Sequence, residues 1–264
     1  MSNLILLRGG GDLASGIALR LRHAGFKVVI AELPAPLAVR RTVSFAEAVY
    51  AGHMVVEGVS AELAGSAEEA LALAARGMIA VLVDPQAAVL RQGDFGVLVD
   101  ARLTKMPPET TIASAALTIG VGPGFVAGQD VHAVVETQRG HMLGRVYWQG
   151  SASADSGQPE GDPRRVLRAP ANGPLMAGAA IGEHVAPGQV LAEVGGQPVV
   201  APFKGVLRGL IHPGIGLTKG MKIGDVDPRD NPSYCFLVSD KALAVGGGVL
   251  EAILTPEQQR RRGR

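Results

Sequence analysis

The amino-terminal segment constrains the fold of this chain more than any other part of it. A short apolar run, residues 4–7, leads into a charged residue and then three consecutive glycines, residues 9–11, after which a helical pattern follows. A second apolar run, residues 28–31, ends at Glu32. This order of strand, glycine turn, helix, strand and acid is typical of the first half of a Rossmann-like parallel sheet. We therefore predict that residues 9–16 connect the first strand to the first helix.

The glycine turn has the features that a bound pyrophosphate requires. Gly9, Gly11 and Ala14 fit the pattern G-x-G-x-x-A, and Glu32 follows about 20 positions after Gly11. Gly11 lacks a Cβ, so a phosphate can approach the backbone and the unpaired N–H groups of the first helical turn. The acid would accept hydrogen bonds from ribose hydroxyls. The predicted cofactor-binding residues are Gly9, Gly10, Gly11, Asp12, Leu13, Ala14, Glu32, Arg40 and Arg41.

Several of these candidates have a second interpretation. Asp12 repels a phosphate and equally suits a helix cap. Arg40 and Arg41 can bind phosphate bidentately, and the alternative is that they form a solvated helix entrance. Glu32 would oppose a 2′-phosphate by charge, so an unphosphorylated ribose is expected.

Up to about residue 150, short apolar runs alternate with helical patterns. Ser66 with Glu69 three positions later predicts a capped helix. Residues 79–83 and 97–99 are typical of buried strands, and each is followed by an aspartate. Strands that alternate with helices favour a parallel sheet, whose ligands bind outside the carboxyl ends of the strands. Asp100 is therefore a candidate for a substrate pocket, with capping of the next turn as the alternative.

The densest polar cluster of the sequence lies between residues 130 and 141. Glu136, Arg139 and His141 are its candidate substrate-pocket residues. His132, Glu136 and His141 include possible metal ligands, but their spacing matches no metal motif, so we predict no metal site and favour a polar network around the pocket. No catalytic residue is identified, and whether the chain is an enzyme stays open.

After a linker at residues 151–163, the pattern changes to short strands and turns. Residues 185–191, 201–207 and 214–220 read V-x-x-G-Q-V-L, A-P-F-K-G-V-L and G-x-x-L-x-K-G, and they resemble the biotinyl/lipoyl-type barrel-sandwich hybrid. In carrier domains of that type, a lysine at a hairpin tip is modified. The corresponding turn here, residues 195–196, is Gly-Gly, so no biotin or lipoyl attachment is expected.

The predicted fold class is therefore α/β, with a Rossmann-like parallel sheet and a small C-terminal all-β barrel-sandwich-hybrid module. Residues 1–150 are the Rossmann-like nucleotide-binding domain and residues 163–230 the all-β module. Residues 231–264 are predicted to form a C-terminal strand and helix that pack back on the first domain. Three glycines in that helix, residues 246–248, cost about 2–3 kcal/mol relative to alanine. They predict a close approach, of a packed element or, alternatively, of a ligand phosphate.

Composition narrows the classes of function. The net charge of +1 implies no affinity for nucleic acid, and no apolar stretch reaches the ~18–20 residues of a membrane span. The amino terminus is a strand rather than a signal peptide, so a cytoplasmic protein is expected. Cys235 is the single cysteine and lies in an apolar run, which predicts a buried structural thiol. The basic residues 260–264 predict a frayed helix end.

Five segments together are similar to those of one protein family. They are R-G-G-G-D-L-A from Arg8, R-R-T-V-S-F-A-E-A-V from Arg40, E-T-Q-R-G-H from Glu136, K-I-G-D-V-D-P-R from Lys222 and the stretch from Ser239 to the last helix. The chain resembles, over essentially its full length, the YqeB-type proteins, named as selenium-dependent molybdenum cofactor biosynthesis or molybdenum hydroxylase accessory proteins. It resembles more loosely the Rossmann part of XdhC-type maturation factors.

The resemblance implies a pathway more firmly than a reaction. It implies an accessory or maturation protein whose partners are a molybdenum hydroxylase client or other cofactor-maturation proteins. Since many such hydroxylases use a pterin dinucleotide, the glycine turn need not bind NAD. Two alternatives stay open, an NAD-dependent oxidoreductase with the all-β module as a substrate lid, and a non-catalytic docking protein with a vestigial turn. Assembly into a homo-oligomer is also open.

Overall fold

The computed structural model describes residues 2–103, 109–155, 157 and 161–255. They form a mixed α/β structure with one nine-stranded sheet and two four-stranded sheets. The basic residues 260–264, predicted to be a frayed helix end, lie outside the described residues. Within the described residues, no helix has the length and apolar character that crossing a membrane requires.

The large sheet and its helices are built mainly from the first half of the chain. Its strands are β1 Leu4–Arg8, β2 Lys27–Glu32, β3 His53–Val56, β4 Val59–Ala64, β5 Ile79–Val83, β6 Val97–Asp100, β7 Leu117–Val121, β8 Ala133–Val135 and β9 Val146–Tyr147. The helices of the described chain are α1 Asp12–His23, α2 Ala48–Ala51, α3 Ala67–Ala75 and α4 Asp240–Leu254. The predicted glycine connection between the first strand and the first helix is confirmed.

The sheet is parallel except at its two edges. Its order is β3-β4-β5-β2-β1-β6-β7-β8-β9, and only β3 and β9 run antiparallel to their neighbours. The chain places β2 beside β1, forms β3 and β4 at one edge of the sheet, inserts β5 between β4 and β2, and then returns to place β6 on the other side of β1. The strand order therefore reverses between β1 and β6, the position at which open α/β sheets commonly bind their ligands.

Both faces of the central strands are buried, which explains their continuous aliphatic sequences. Ile5 and Leu7 of β1 point to the face covered by α1 and α4, and Leu6 points to the face covered by α3. The cap of α3 is confirmed, since Ser66 Oγ accepts a hydrogen bond from Glu69 N at 3.1 Å.

Residues 166–227 form a separate all-β module. Its strands are β10 Val166–Arg168, β11 Gly173–Ala177, β12 His184–Val185, β13 Val190–Val194, β14 Gln197–Val200, β15 Gly205–Leu210, β16 Gly216–Leu217 and β17 Lys222–Asp227. They form sheets β10-β17-β15-β12 and β14-β13-β11-β16 around a common apolar core. Gly195 and Gly196 make the two-residue turn between β13 and β14 with φ of 56° and 73°, the left-handed conformation that such hairpins need.

The chain then returns to the first domain through α4. Ser239 caps this helix by accepting a hydrogen bond from Ala242 N at 3.2 Å. A Cβ on Gly246 would lie 2.8 Å from the carbonyl oxygen of Gly16 in α1, and one on Gly248 would overlap the carbonyl of Gly144. The close approach predicted from the three glycines is confirmed, and the packed elements are α1 and the loop before β9.

The strand predicted for the C-terminal segment is absent from its described part, residues 231–255. A 3-10 turn, Pro232–Cys235, stands in its place, started by Pro232 and capped by Asn231. The carbonyl groups that a strand would use in a ladder accept hydrogen bonds from side chains of the first domain. Arg40 donates to the carbonyls of residues 234 and 237, both at 2.9 Å, and Thr42 to that of residue 235 at 2.5 Å.

Candidate functional site

The glycine turn lies at the carboxyl ends of β1 and β2 and is open on one side only. Gly9 has φ 92°, and a Cβ there would lie 3.5 Å from Arg102. A Cβ on Gly10 would lie 2.9 Å from the backbone nitrogen of Ala46. A Cβ on Gly11 would have no neighbour within 4 Å. The turn is therefore packed on both flanks, and the free space lies beside Gly11.

This free space adjoins the amino end of α1. Gly11 is the N-cap residue and contributes no side-chain hydrogen bond to the first turn. Asp12 does not act as the cap, and its carboxylate lies 3.7 Å from the guanidinium of Arg40. Leu13 and Ala14 are buried beneath the turn, so these two candidates offer a ligand backbone groups rather than side chains.

Glu32 is engaged by the protein itself. Its Oε1 accepts a hydrogen bond from Gly10 N at 2.7 Å, and its Oε2 accepts one from Leu33 N at 2.6 Å. Burial raises the pKa of this carboxyl, and the two backbone hydrogen bonds oppose that rise. The acid predicted to face a ribose therefore also holds the glycine turn in place.

The two arginines after β2 connect the turn to the rest of the molecule. Arg40 is 9 % exposed and donates two hydrogen bonds to carbonyls before α4, while its Nε is buried with no hydrogen-bond partner. Burial lowers the pKa of Arg40. Arg41 donates to the carbonyl of Leu210 in the all-β module at 2.8 Å and pairs with Glu47 at 2.9 Å. Arg40 is thus buried rather than part of a solvated entrance.

A charged cluster, of which the sequence analysis predicted only Asp100, lies at the reversal of strand order. Arg8, the last residue of β1, is paired in register with Asp100, the last residue of β6. Asp100 is fully buried and binds the guanidinium of Arg102 through both oxygens, at 3.0 and 2.8 Å. Thr110 donates to it at 2.6 Å. An arginine that ends an otherwise apolar strand was the available signal for this cluster.

Glu109 completes the charged cluster from the solvent side. Its Oε2 lies 2.8 Å from Arg8 and 3.4 Å from Arg102, while its side chain is 60 % exposed. The hydrogen bond from Arg8, together with the positive charge of Arg8 and Arg102, lowers the pKa of this carboxyl. The cluster therefore contains two guanidinium groups and two carboxylates.

The remaining pocket candidates are not brought to the glycine turn. They follow β8, which is three strands from β1, or ~14 Å at usual strand spacing. Glu136 is buried, but hydrogen bonds from the backbone of Gln138, Ser153 and Thr137 outweigh burial and lower its pKa. Arg139 forms a two-bond ion pair with Asp240 at the start of α4, and His141 is exposed.

The structure also shows the surroundings of the possible metal ligands and of Cys235. Among the described residues, no three His, Cys, Asp or Glu side chains are grouped as a metal site would require. His132 Nδ1 lies 2.8 Å from Thr118 Oγ1, in the polar network between β7 and β8. Cys235 is fully buried, as predicted, and burial raises the pKa of its thiol.

The sequence is similar to a curated relative from Escherichia coli strain K12. This relative, described as the uncharacterized protein YqeB, is 48% identical over 255 residues, which are 95% of this chain and 47% of the relative. The chain thus spans about half the length of the curated relative it matches, and the match supports its membership in the YqeB family. No family model matches the sequence.

Two solved structures are distantly similar to this chain. An aspartoacylase family protein from Mesorhizobium loti is 12% identical with a TM-score of 0.28, over 86% of this chain and 85% of that one. The product-bound ectoine utilization protein EutE (DoeB) from Ruegeria pomeroyi is 12% identical with a TM-score of 0.24, over 86% of this chain and 58% of that one. Likenesses at these scores carry no functional argument.

Proposed function

We propose that this chain binds a dinucleotide-type ligand at its glycine turn and acts as an accessory protein in the maturation of molybdenum hydroxylases. The ligand would be the molybdenum cofactor, in its pterin dinucleotide form, or a precursor. The observation that carries the proposal is the free space beside Gly11, where a Cβ would have no neighbour within 4 Å. A phosphate in that space meets backbone N–H groups that no N-cap side chain occupies, and the positive end of the helix dipole.

The position of this space in the sheet supports a ligand site. It lies at the carboxyl ends of β1 and β2, next to the reversal of strand order between β1 and β6. Open α/β sheets bind their ligands at such reversals because the connecting loops diverge there and leave a crevice. The glycine turn, the amino end of α1 and the reversal of strand order lie next to one another, which supports the proposed ligand site.

Arg40 supplies a second argument. A buried N–H group without a partner costs about 1–3 kcal/mol, and a phosphate oxygen would satisfy the Nε of this side chain. Because that nitrogen is closed to solvent, the guanidinium must first turn away from Asp12, 3.7 Å away, or from the carbonyl of Tyr234. Binding would then couple the turn to the segment before α4.

Glu32 determines which ribose the site accepts. Each of its oxygens accepts one backbone hydrogen bond and keeps a lone pair for a ribose hydroxyl. Its negative charge opposes a 2′-phosphate, so an unphosphorylated ribose fits. A pterin dinucleotide and NAD both meet this requirement. The choice between them rests on the five sequence segments that resemble those of molybdenum hydroxylase accessory proteins.

The all-β module would provide the contact with a client hydroxylase or another maturation protein. We propose that it is a barrel-sandwich hybrid that carries no swinging cofactor. Two four-stranded sheets around one core support this, as does the hairpin turn of Gly195 and Gly196, which offers no lysine for attachment. Lys204, in the motif shared with carrier modules, pairs with Asp230 at 3.0 Å instead.

The test is a titration of wild type and Gly11→Val with pterin dinucleotide and with NAD. We expect the valine to fill the free space and to weaken binding at least about 100-fold, since it stands where the pyrophosphate would approach. The fold should persist because Gly11 has an extended conformation, φ −64° and ψ −178°, that valine adopts. Gly216→Val is the matched control, since a Cβ at Gly216 also meets open space, but in the all-β module.

Each alternative function has its own outcome in this titration. Tight binding of NAD alone would favour the oxidoreductase. A protein that binds no dinucleotide, yet associates with a purified molybdenum hydroxylase, would favour the docking protein. Equal affinities of wild type and Gly11→Val for every dinucleotide would show that the glycine turn is not the site.

A further inference from the structure

We infer that Arg8 and Arg102 form a second phosphate subsite beside the glycine turn, and that the Glu109 carboxylate is a displaceable internal occupant of that subsite. The inference rests on the proposed function for the class of ligand, a phosphoryl anion. It goes beyond that function by assigning two residues outside the glycine fingerprint and a competing group that the protein itself supplies.

The subsite has the right location. Arg8 immediately precedes the glycine turn, and the stem of Arg102 lies against Gly9, 3.5 Å from where a Cβ would stand. Arg8 is the last residue of β1, and Arg102 lies two residues after the end of β6. The order of strands in the sheet reverses between these two strands. A ligand whose pyrophosphate lies at Gly11 would therefore extend toward this pair.

The donors of the two arginines are arranged so that one acceptor is shared. Arg8 uses one terminal nitrogen for Thr110, at 3.2 Å, and the other for the carbonyl of Pro85, at 3.0 Å, and for Glu109. Arg102 uses Nε and one terminal nitrogen for Asp100, which leaves its other terminal nitrogen for Glu109. A single oxygen, Glu109 Oε2, thus receives one donor from each guanidinium. A phosphate oxygen makes the same two contacts.

The two carboxylates of the cluster differ in how firmly they are held. Asp100 is fully buried, and three side-chain donors and one backbone donor from Arg102 and Thr110 bind its two oxygens. Glu109 is 60 % exposed, and its contacts with other described residues are made through one oxygen. Because the Glu109 carboxylate already faces solvent, it can leave when another anion takes its place beside the buried Arg8, whereas Asp100 is enclosed.

Charge completes the argument. With Glu109 in place, the two arginines and two carboxylates sum to zero. Without it, the cluster has a net positive charge, carried partly by Arg8, whose side chain is only 6 % exposed. A guanidinium that is largely removed from water attracts a replacement anion, and phosphate suits the planar fork of arginine.

Isothermal titration with inorganic pyrophosphate tests the inference. We expect Glu109→Gln to bind pyrophosphate about tenfold more tightly than wild type, because the internal competitor and its negative charge are both removed. Glu68→Gln removes the same charge at an exposed position on α3, and its affinity for pyrophosphate should equal that of wild type. Adding Arg102→Gln to Glu109→Gln should abolish the gain.

Since Arg102 also holds the buried Asp100, the double variant is checked by circular dichroism. If it does not fold, Glu109→Asp replaces it in the test. This variant keeps the charge and shortens the side chain by one methylene, so it should lose the contact with Arg8 and show an intermediate gain in affinity. The inference is overturned if Glu109→Gln binds pyrophosphate no more tightly than wild type or Glu68→Gln. It is also overturned if the gain in affinity persists when Arg102 is replaced.

Failure here is distinguishable from failure of the proposed function. An Arg102-dependent gain in pyrophosphate affinity, in a protein that binds no dinucleotide, would keep the subsite and reject the proposed ligand. Dinucleotide binding that depends on Gly11 but is indifferent to Glu109 and Arg102 would keep the proposed function and reject the subsite.

Discussion

Asp227 shows how single buried charges are stabilised in the all-β module. Its side chain is 2 % exposed at the end of β17, and burial alone would raise its pKa. Hydrogen bonds from the side chain and backbone of Arg229, with the charge of Arg208 at 3.2 Å, outweigh burial and lower the pKa to about 2. The aspartate therefore stays ionised in the folded protein at pH values where an unfolded chain begins to protonate it.

We predict that this aspartate contributes to stability above about pH 4 and that the contribution is lost as the pH falls toward 2. Its folded pKa lies below the unfolded value of about 3.9, so the linked free energy is on the order of 2 kcal/mol. Asp227→Asn should therefore be less stable at neutral pH and lose less of its free energy of unfolding between pH 5 and pH 2. Urea unfolding across that range measures both slopes, and parallel curves for the two proteins would contradict the prediction.

At the scale of elements, the crossing of α1 and α4 depends on glycines that face each other. A Cβ on Gly16 would lie 2.6 Å from the Cβ of Ala242 and 2.8 Å from its carbonyl oxygen, so the two helix backbones are nearly in contact. Gly246 lies on the same contact from the α4 side, while a Cβ on Gly247 would meet open space. The three consecutive glycines of α4 therefore have different roles.

We predict opposite effects for two glycine-to-alanine changes across this crossing. Gly16→Ala should destabilise the protein by about 1–3 kcal/mol, because the added methyl group overlaps α4 backbone that cannot move aside cheaply. Gly247→Ala should stabilise it by up to about 1 kcal/mol, because it improves helix propensity without a clash. Thermal unfolding of both variants tests this prediction. A loss of stability in Gly247→Ala would refute the conclusion that Gly247 lies on the open face of α4.

Features that depend on nearby residues were predictable from the sequence, and those that depend on distant partners were not. The connection of β1 to α1, the cap of α3 and the turn at Gly195 are set by local backbone preferences. The segment of Cys235 was mistaken for a strand because its apolar pattern does not reveal that Arg40, nearly 200 positions earlier, binds its carbonyls. Glu32 lies at the end of β2, as the sequence predicted, but its hydrogen bond from Gly10 N was not foreseen.

At the scale of the molecule, the all-β module is held against the first domain by the segment that follows β2. Arg41 bonds to the carbonyl of Leu210, and a Cβ on Gly209 would lie 2.8 Å from the carbonyl oxygen of Val39. Tyr50 and His212 stack with ring centroids 3.9 Å apart across the same contact. The segment that approaches the glycine turn is thus also the segment that contacts the module.

We predict that Gly209→Leu separates the unfolding of the two parts. The added side chain overlaps the backbone at Val39 and should cost about 1–3 kcal/mol, chiefly in the contact between module and domain. Gly216→Leu, in open space on the same module, is the matched control. Differential scanning calorimetry should show a second transition for Gly209→Leu only, and a single transition at the wild-type temperature would contradict the prediction.

The position of α4 has a consequence for synthesis of the chain. This helix covers one face of a sheet whose last strand ends at Tyr147, yet the helix begins only at Asp240. At ~5–20 residues per second, a ribosome needs about 5–20 s to add the intervening segment. During that interval only α1 covers this aliphatic face, and we expect chaperones to shield the part that α4 later buries. Slowing translation within the all-β module would prolong that exposure and lower the yield of folded protein.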